Sequence, residues 1–476
     1  MVGFGMLAIL VGVVASFVEL KWFVAGIFGA AAVAAVFYDY RFGVVCLTFL
    51  LPWAYSPYLP QTSGFNLINF IAIASLVSLM IQRSFGAKKL VALPKVFLWC
   101  YLLPVAVASA VALPYIHIGE ATFPPQFPGD VSVFAPDIFW RIHIAKPLTF
   151  VLFAFLLANG IRDSRRPHYF LIPYMVSAAG VAVAVIVSAA LGANDVANRA
   201  AFLENLGMHS NEYGMQLSLA SGPLLFIATG KGRLFAKNAA RLAFLLVTIG
   251  LVLTGSRGAA TAYLTMIVFW LVQRRKLSDL FICIALVAIL AAAIPDRVWD
   301  RLTLGLNGDA PAAEADDDPL TKGRLNSWEI LAPDILESPI WGRGIGSTAW
   351  NAATVSGRYG AGHPHNMYIE ILLDIGVLGF CAIATLYYRY ARGFLDLSRE
   401  ENVRPVLQDF FRGALASFIG MLVMDMTNGH WMPHPEQVFL WFALGFAFAF
   451  WHEVGKARAP VVASYPNKFK KMLEGR

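Results

Sequence analysis

The sequence predicts an all-α integral membrane protein: a polytopic bundle of about 12–14 transmembrane helices with one large, partly helical loop on the non-cytoplasmic side. Three observations carry that expectation. Of 476 residues, 58% are hydrophobic and 14% charged, and the mean hydropathy is +0.62. Soluble domains carry about one quarter charged residues, so composition excludes the ordinary globular class. The apolar residues fall in long runs, as a hydrocarbon core about 30 Å thick requires of its helices. Lys and Arg gather in every other loop, the asymmetry that fixes orientation in a bilayer.

Taken in order, the apolar runs are Val2–Val18, Trp22–Tyr38, Phe42–Tyr58, Asn66–Ile81, Val96–Ile116, His143–Asn159 and Tyr169–Leu191. Gly214–Thr229, Leu242–Thr254, Ala259–Val272, Leu280–Ile294, Met367–Tyr388, Phe410–Met426 and Val438–Trp451 follow. The first run lacks a basic n-region and leads straight into the second, so it reads as a retained span. In the lower count, the first pair or the short third run is re-entrant. Basic clusters at Arg83–Lys89, Arg162–Arg166, Lys231–Arg241, Arg274–Lys276 and Arg389–Arg404, and in the tail from Lys456, mark the cytoplasmic side. Both termini are then cytoplasmic and Pro295–Asn366 lies outside. The expected organisation is N-terminal transmembrane helices over 1–294 and an outer loop with catalytic elements over 295–366. C-terminal transmembrane helices over 367–452 and a basic tail over 453–476 complete it.

The net charge of +7 reflects this topology. No helix-turn-helix, zinc-finger or stacking-aromatic pattern argues for a nucleic-acid partner. Cys46, Cys100, Cys283 and Cys381 all sit in apolar runs without metal-ligand spacing, and read as small hydrophobes.

The chemistry is expected in the outward loops. Tyr115–Ile142 is rich in Pro and aromatics and carries Glu120, Asp130 and Asp137, too irregularly spread to form a catalytic acid pair. Gly192–Tyr213 holds Arg199, and Gly255–Gly258 is a tight link carrying Arg257. In the long loop, Asp316, Asp317 and Asp318 form a triple acid. Without a second ligand cluster it reads as a solvated turn before a metal site. Gly323–Ser338 reads as an amphipathic helix, with Leu325, Trp328, Ile330, Leu331, Ile335 and Leu336 as its apolar stripe and Arg324 in its first turn. The Gly-punctuated turn SPIWGRGIGSTAW (Ser338–Trp350) lets backbone approach a ligand or a neighbouring helix. His363–Asn366 then precedes a span. Thr427–Gln437 adds His430 and His434, which with Asp425 either line an acceptor surface or steady the helices.

Three segments carry a resemblance. GHPHNMYIEILLDIGVLGF (Gly362–Phe380) resembles the signature of the O-antigen ligase and O-antigen polymerase family of bacterial envelope glycan enzymes, matching at His365, Asn366, Gly376 and Gly379. LTGSRGA (Leu253–Ala259) resembles the family's upstream Arg-bearing element. GRLNSWEIL with SPIWGRGIG resembles its outer-loop Arg helix and the Gly turn after it. The resemblance implies transfer of a glycan from undecaprenyl diphosphate to an acceptor hydroxyl, with inversion and without metal or other cofactor. It implies the periplasmic face of the bacterial inner membrane, as in lipopolysaccharide or exopolysaccharide assembly. By the same carry-over, Arg257 and Arg324 neutralise the diphosphate leaving group and His365 is the general base.

Elementary chemistry agrees. A planar guanidinium binds phosphate oxygens bidentately, and fixed cations in a partly dry site are a large catalytic term. A His with an ordinary pKa near 6.5 suits a base. Arg199 and Arg141 are further candidate phosphate contacts. His363, Asn366, Glu370 and His430 are candidate substrate contacts; Glu370 and Asp374, acids inside a span, equally suit pairing with cations. The acceptor stays open: a lipid A core or a protein makes the enzyme a ligase, and a second lipid-linked repeat makes it a polymerase. A transporter or flippase would show internal repeats, broken spans and midplane charges, whereas the charges here cluster at the outer face.

Overall fold

The computed structural model describes residues 31, 33–59, 61–62, 65–86, 89–123, 134–191, 203, 205–232, 234–281, 284–285, 324–360 and 362–457. Val2–Val18, most of Trp22–Tyr38 and of Leu280–Ile294, Arg199, Cys283, the triple Asp and the tail from Arg458 lie outside the described residues.

The described chain is helical apart from one two-residue antiparallel pair, Gln61–Thr62 with Phe65–Asn66. Its main helices are α1 (Tyr40–Leu50), α2 (Leu67–Phe85), α3 (Lys95–Thr122), α4 (Ile138–Asp163), α5 (Pro167–Leu191) and α6 (Ser210–Thr229). After them come α7 (Leu234–Leu253), α8 (Arg257–Arg274), α9 (Arg324–Glu337), α10 (Met367–Leu397), α11 (Pro405–Met424) and α12 (Val438–Ala457). Among the described residues, seven of these, α2 to α5, α7, α10 and α11, are long and apolar enough to cross a membrane. This is an all-α, multi-pass membrane protein.

Helix α6 lies at the centre, packed against α7, α8 and α11. Almost every residue along it is buried, which is why its sequence lacks a polar face. Gly222 of α6 meets Gly413 of α11, where an added Cβ would stand 2.4 Å from the Gly413 carbonyl oxygen. Ser417 fills the gap, accepting the Gly222 N–H (3.0 Å) and donating to the Ser218 carbonyl (3.1 Å). Small residues with a shared hydroxyl are a usual way for helices to approach closely in lipid.

Two helix ends depart from the expected loops. α3 continues through Pro114, which sits in a 3-10 turn at Leu113–Tyr115. Part of the loop expected at Tyr115–Ile142 is therefore helix, and α3 reaches about 42 Å at 1.5 Å per residue, beyond the hydrocarbon core. Phe134 and Phe139 pack there against Ala112, Ile116 and Trp350, tying this extension to the Gly turn Ser338–Trp350.

The Gly turn and the His-motif helix interlock. α10 breaks at Gly376 (φ 62°, ψ −167°), and the turn supplies the partners that the break releases. Val377 N–H donates to the Pro339 carbonyl (2.8 Å), Arg343 N–H to Leu373 (2.8 Å) and Gly344 N–H to Asp374 (2.9 Å). A Cβ on Gly342 would lie 2.4 Å from the Asp374 carbonyl carbon, and one on Gly376 2.5 Å from that of Ile340. Glycine at both positions is a condition of contact. The broken span thus meets the backbone of the Gly turn.

Helix α9 forms where the pattern placed it, but its buried face is narrower. Leu331 is fully buried with Ala353, Tyr359 and Leu373, and Ile330 and Ile335 pack beside them. Leu325 and Leu336 are exposed. At about 100° per residue they sit 120° or more around the helix from Leu331, off the contact face.

Candidate active site

Three elements converge. Arg257 is the first residue of α8, behind the Thr254–Gly255 turn, and Ser256 caps the helix by accepting the Ala259 N–H (3.3 Å). Arg324 is the first residue of α9. Both line one small pocket of about 40 Å³ with Asn211, Gly255, Gly258, Met424, Thr427 and Asn428. Burial, then the charge of Arg257, lowers the pKa of Arg324. Two guanidinium groups and two carboxamides make this lining cationic and polar, a composition suited to phosphate oxygens.

His365 stands beside this pocket, close enough to Arg324 to feel its charge. Its ring is reachable from solvent, yet its surroundings desolvate it. Burial first, then His363, Arg324 and His430, bring its pKa down to about 4, against a hydrogen bond with the Asn428 side chain. At neutral pH the imidazole is uncharged and has a lone pair to offer. The Trp328 indole N–H donates to the Pro364 carbonyl (3.2 Å), tying the arginine helix to the histidine motif.

Behind His365 lies a second, buried assembly. His363 accepts the His365 backbone N–H at Nδ1 (2.8 Å) and presents Nε2 to the Gly429 carbonyl (3.1 Å). Glu370 accepts from His430 Nδ1 (3.1 Å) and from the Trp431 N–H (3.3 Å), and lies 3.6 Å from His363 Nε2. Burial opposes charge on His430, but Glu370 outweighs it and lifts the pKa to about 9. Burial, followed by the charge on His430, lowers that of His363. Asp374 is bonded by Ser347 (2.8 and 3.0 Å) and the Trp431 indole N–H (3.0 Å).

Among the described residues, His363, Glu370 and His430 form one group with metal-ligand spacing, and His430, His434 and Glu436 another. Bonding argues against the first. An Nδ1 that accepts an amide N–H leaves the proton on Nε2, the atom facing Glu370. In the second group the His430 and His434 rings stack at 10°, 4.2 Å apart, so their in-plane lone pairs run parallel and do not converge.

The structure therefore brings Arg257, Arg324 and His365 together. Asn366 turns inward: its carbonyl oxygen caps α10 by accepting from Tyr368 and Ile369, and its amide donates to the Met426 carbonyl (3.0 Å). Glu370 and His430 are committed to each other, and Asp425 is fully buried. Arg141 lies in a π turn at Arg141–Ala145 and does not line the pocket. Asn211, Thr427 and Asn428 escaped the sequence reading, because a lone carboxamide or hydroxyl in a loop has no spacing to betray it.

Residues 242–384 match the family described as O-Antigen ligase, a span that contains Arg257, Arg324 and His365. A protein of Rickettsia conorii described as a "Putative polysaccharide ligase" is 28% identical over 119 residues, covering 23% of this chain and 27% of that protein. The chain thus spans about a quarter of the length of that curated relative. The resemblance read from three short motifs thus extends over this span, and the protein is a multi-pass membrane protein whose residues 242–384 are similar to the O-antigen ligase family.

Proposed function

We propose that this protein is a glycosyltransferase of the bacterial inner membrane, moving a glycan from undecaprenyl diphosphate to an acceptor hydroxyl at the periplasmic face. Both termini lie in the cytoplasm, in keeping with the basic loops. The observation that carries this reading is the meeting of Arg257 and Arg324 in one pocket beside His365. The reaction follows from their chemistry. His365 takes the proton of the acceptor hydroxyl, and the oxygen attacks the anomeric carbon from the face opposite the diphosphate. The anomeric C–O bond breaks with inversion, and its electron pair leaves on the diphosphate. Arg257 and Arg324 neutralise that growing charge, so the step needs no metal from this chain.

The glycan is moved as a finished polysaccharide onto a lipid A core or a protein, as for a ligase. The test incubates purified protein with a defined undecaprenyl-diphosphate oligosaccharide and candidate acceptors, with and without chelator, and resolves products by size. A single shifted band that persists in chelator is the expected result. A ladder makes the enzyme a polymerase, and loss of product in chelator, restored by a divalent cation, overturns the metal-free step.

A further inference from the structure

The backbone of His365 is in an unusual state. Its φ is +51°, and Arg275 is the only other non-glycine at positive φ among the described residues. A left-handed residue with a bulky side chain is strained and persists only where its surroundings over-determine it. What holds it here is the side chain two positions earlier. His363 Nδ1 accepts the His365 N–H at 2.8 Å, around a Pro364 whose own φ is fixed.

We propose that His363 is a positioning residue: held as its Nε2–H tautomer between Gly429 and Glu370, it clamps the backbone of His365 so that the imidazole faces the arginine pocket. The proposal rests on the reading of His365 as the base. Two acceptors, the Gly429 carbonyl at 3.1 Å and Glu370 at 3.6 Å, face Nε2 and hold the proton there. Glu370 is itself fixed by His430 and the Trp431 amide. The Tyr359 hydroxyl, donating to the His363 carbonyl at 2.6 Å, pins the residue from the other side. With one nitrogen given to Gly429 and Glu370 and the other to the chain, His363 has no lone pair left for substrate or metal.

The clamp has the form of an Asx turn, in which a side-chain acceptor takes the backbone N–H two residues on. Asparagine should therefore replace His363 and leucine should not. The test compares His363→Asn, His363→Leu and His363→Gln with wild type and His365→Ala, in detergent or nanodiscs. Donor affinity, kcat, KM and Tm are measured for each. His363→Leu is expected to lower kcat about 10²-fold, the usual cost of a base displaced by about 1 Å, with donor affinity nearly unchanged. His363→Asn should recover most of that loss. If the leucine variant does not fold, His363→Gln, whose longer arm misses the two-residue closure, takes its place. Wild-type kcat in the leucine or glutamine variant, beside an inactive His365→Ala, overturns the clamp alone. So does asparagine no better than leucine, or donor affinity falling as far as kcat/KM. Turnover retained by His365→Ala removes the base itself, and the clamp with it.

Discussion

The two walls of the candidate site are built on opposite principles. The arginine wall puts two like charges in one small pocket, with Arg324 partly desolvated and uneasy in its charge. The histidine wall is buried deeper but satisfied: Glu370 answers His430, Gly429 answers His363, and Ser347 with Trp431 answers Asp374. A buried network in which every member has a partner rigidifies. A pocket that gathers cations is arranged for an anion that has yet to arrive. Reactivity is thus expected at the strained wall and precision at the satisfied one, with His365 at the seam.

The largest effect should fall on that seam. His365→Ala should lower turnover by about 10²–10⁴, the range for a positioned general base, while donor binding survives on the arginines. The pH dependence sharpens the contrast. Because His365 has its pKa brought down to about 4, the base form persists through neutral pH and is lost only as pH falls through about 4. The profile of kcat/KM, which reports the free enzyme, should keep its plateau well below pH 6.5. An acid limb near 6.5 that vanishes in His365→Ala would mean that the site leaves this imidazole solvated, and would remove the difference between the walls.

Next in size are the arginines. Arg324→Ala should weaken donor binding and slow turnover by about 10²–10³, since a diphosphate contact exists before and during bond cleavage. Arg257→Lys keeps the charge and loses the fork, so it should restore only part of what Arg257→Ala loses. Full activity with lysine would reduce this wall to a point charge.

How much of this was legible beforehand follows the same division. Arg257, Arg324 and His365 are legible through the resemblance of their motifs to the ligase and polymerase family, and the glycines of those motifs have physical work. Gly376 breaks α10 at φ 62° and Gly342 lets the turn touch the break. The pairing of Glu370 with a cation was foreseeable, as an acid within a span needs one. That the partner would be His430 was not, because it comes from a loop far along the chain. Asn211 and Asn428 reach the pocket by tertiary contact alone. The apolar run ends at Ile116, where His117, Glu120 and Thr122 enter, and the helix nonetheless continues to Thr122.

The interlock makes a prediction of middle size, on stability. Gly376→Ala must place a Cβ 2.5 Å from the Ile340 carbonyl carbon and hold a positive φ. At φ 62° and ψ −167° the residue lies in a region that essentially only glycine populates, which costs a side chain about 1–3 kcal/mol, and the contact adds to it. Tm in detergent should fall and turnover with it, because the break sets the direction in which α10 leaves the His motif. An unchanged Tm would mean that the turn and α10 are only loosely joined, and that the histidine wall is less rigid than its hydrogen bonds imply.

The smallest effect should come from a hydrogen bond that joins the arginine helix to the histidine motif. The Trp328 indole N–H donates to the Pro364 carbonyl at 3.2 Å, between the helix that begins with Arg324 and the residue before His365. Trp328→Phe keeps most of the aromatic surface and removes the donor. A neutral hydrogen bond of this kind is worth about 0.5–1.5 kcal/mol net, so Tm should barely move. Proline has no N–H of its own, and its carbonyl lies one residue from the base, so slack here changes the distance between His365 and the anion bound at Arg324. The expected signature is a kcat lowered a few-fold with donor affinity intact, additive with neither His365→Ala nor Arg324→Ala in double variants. Simple additivity would mean that the two walls act independently, and that the strained side does its chemistry without help from the satisfied one.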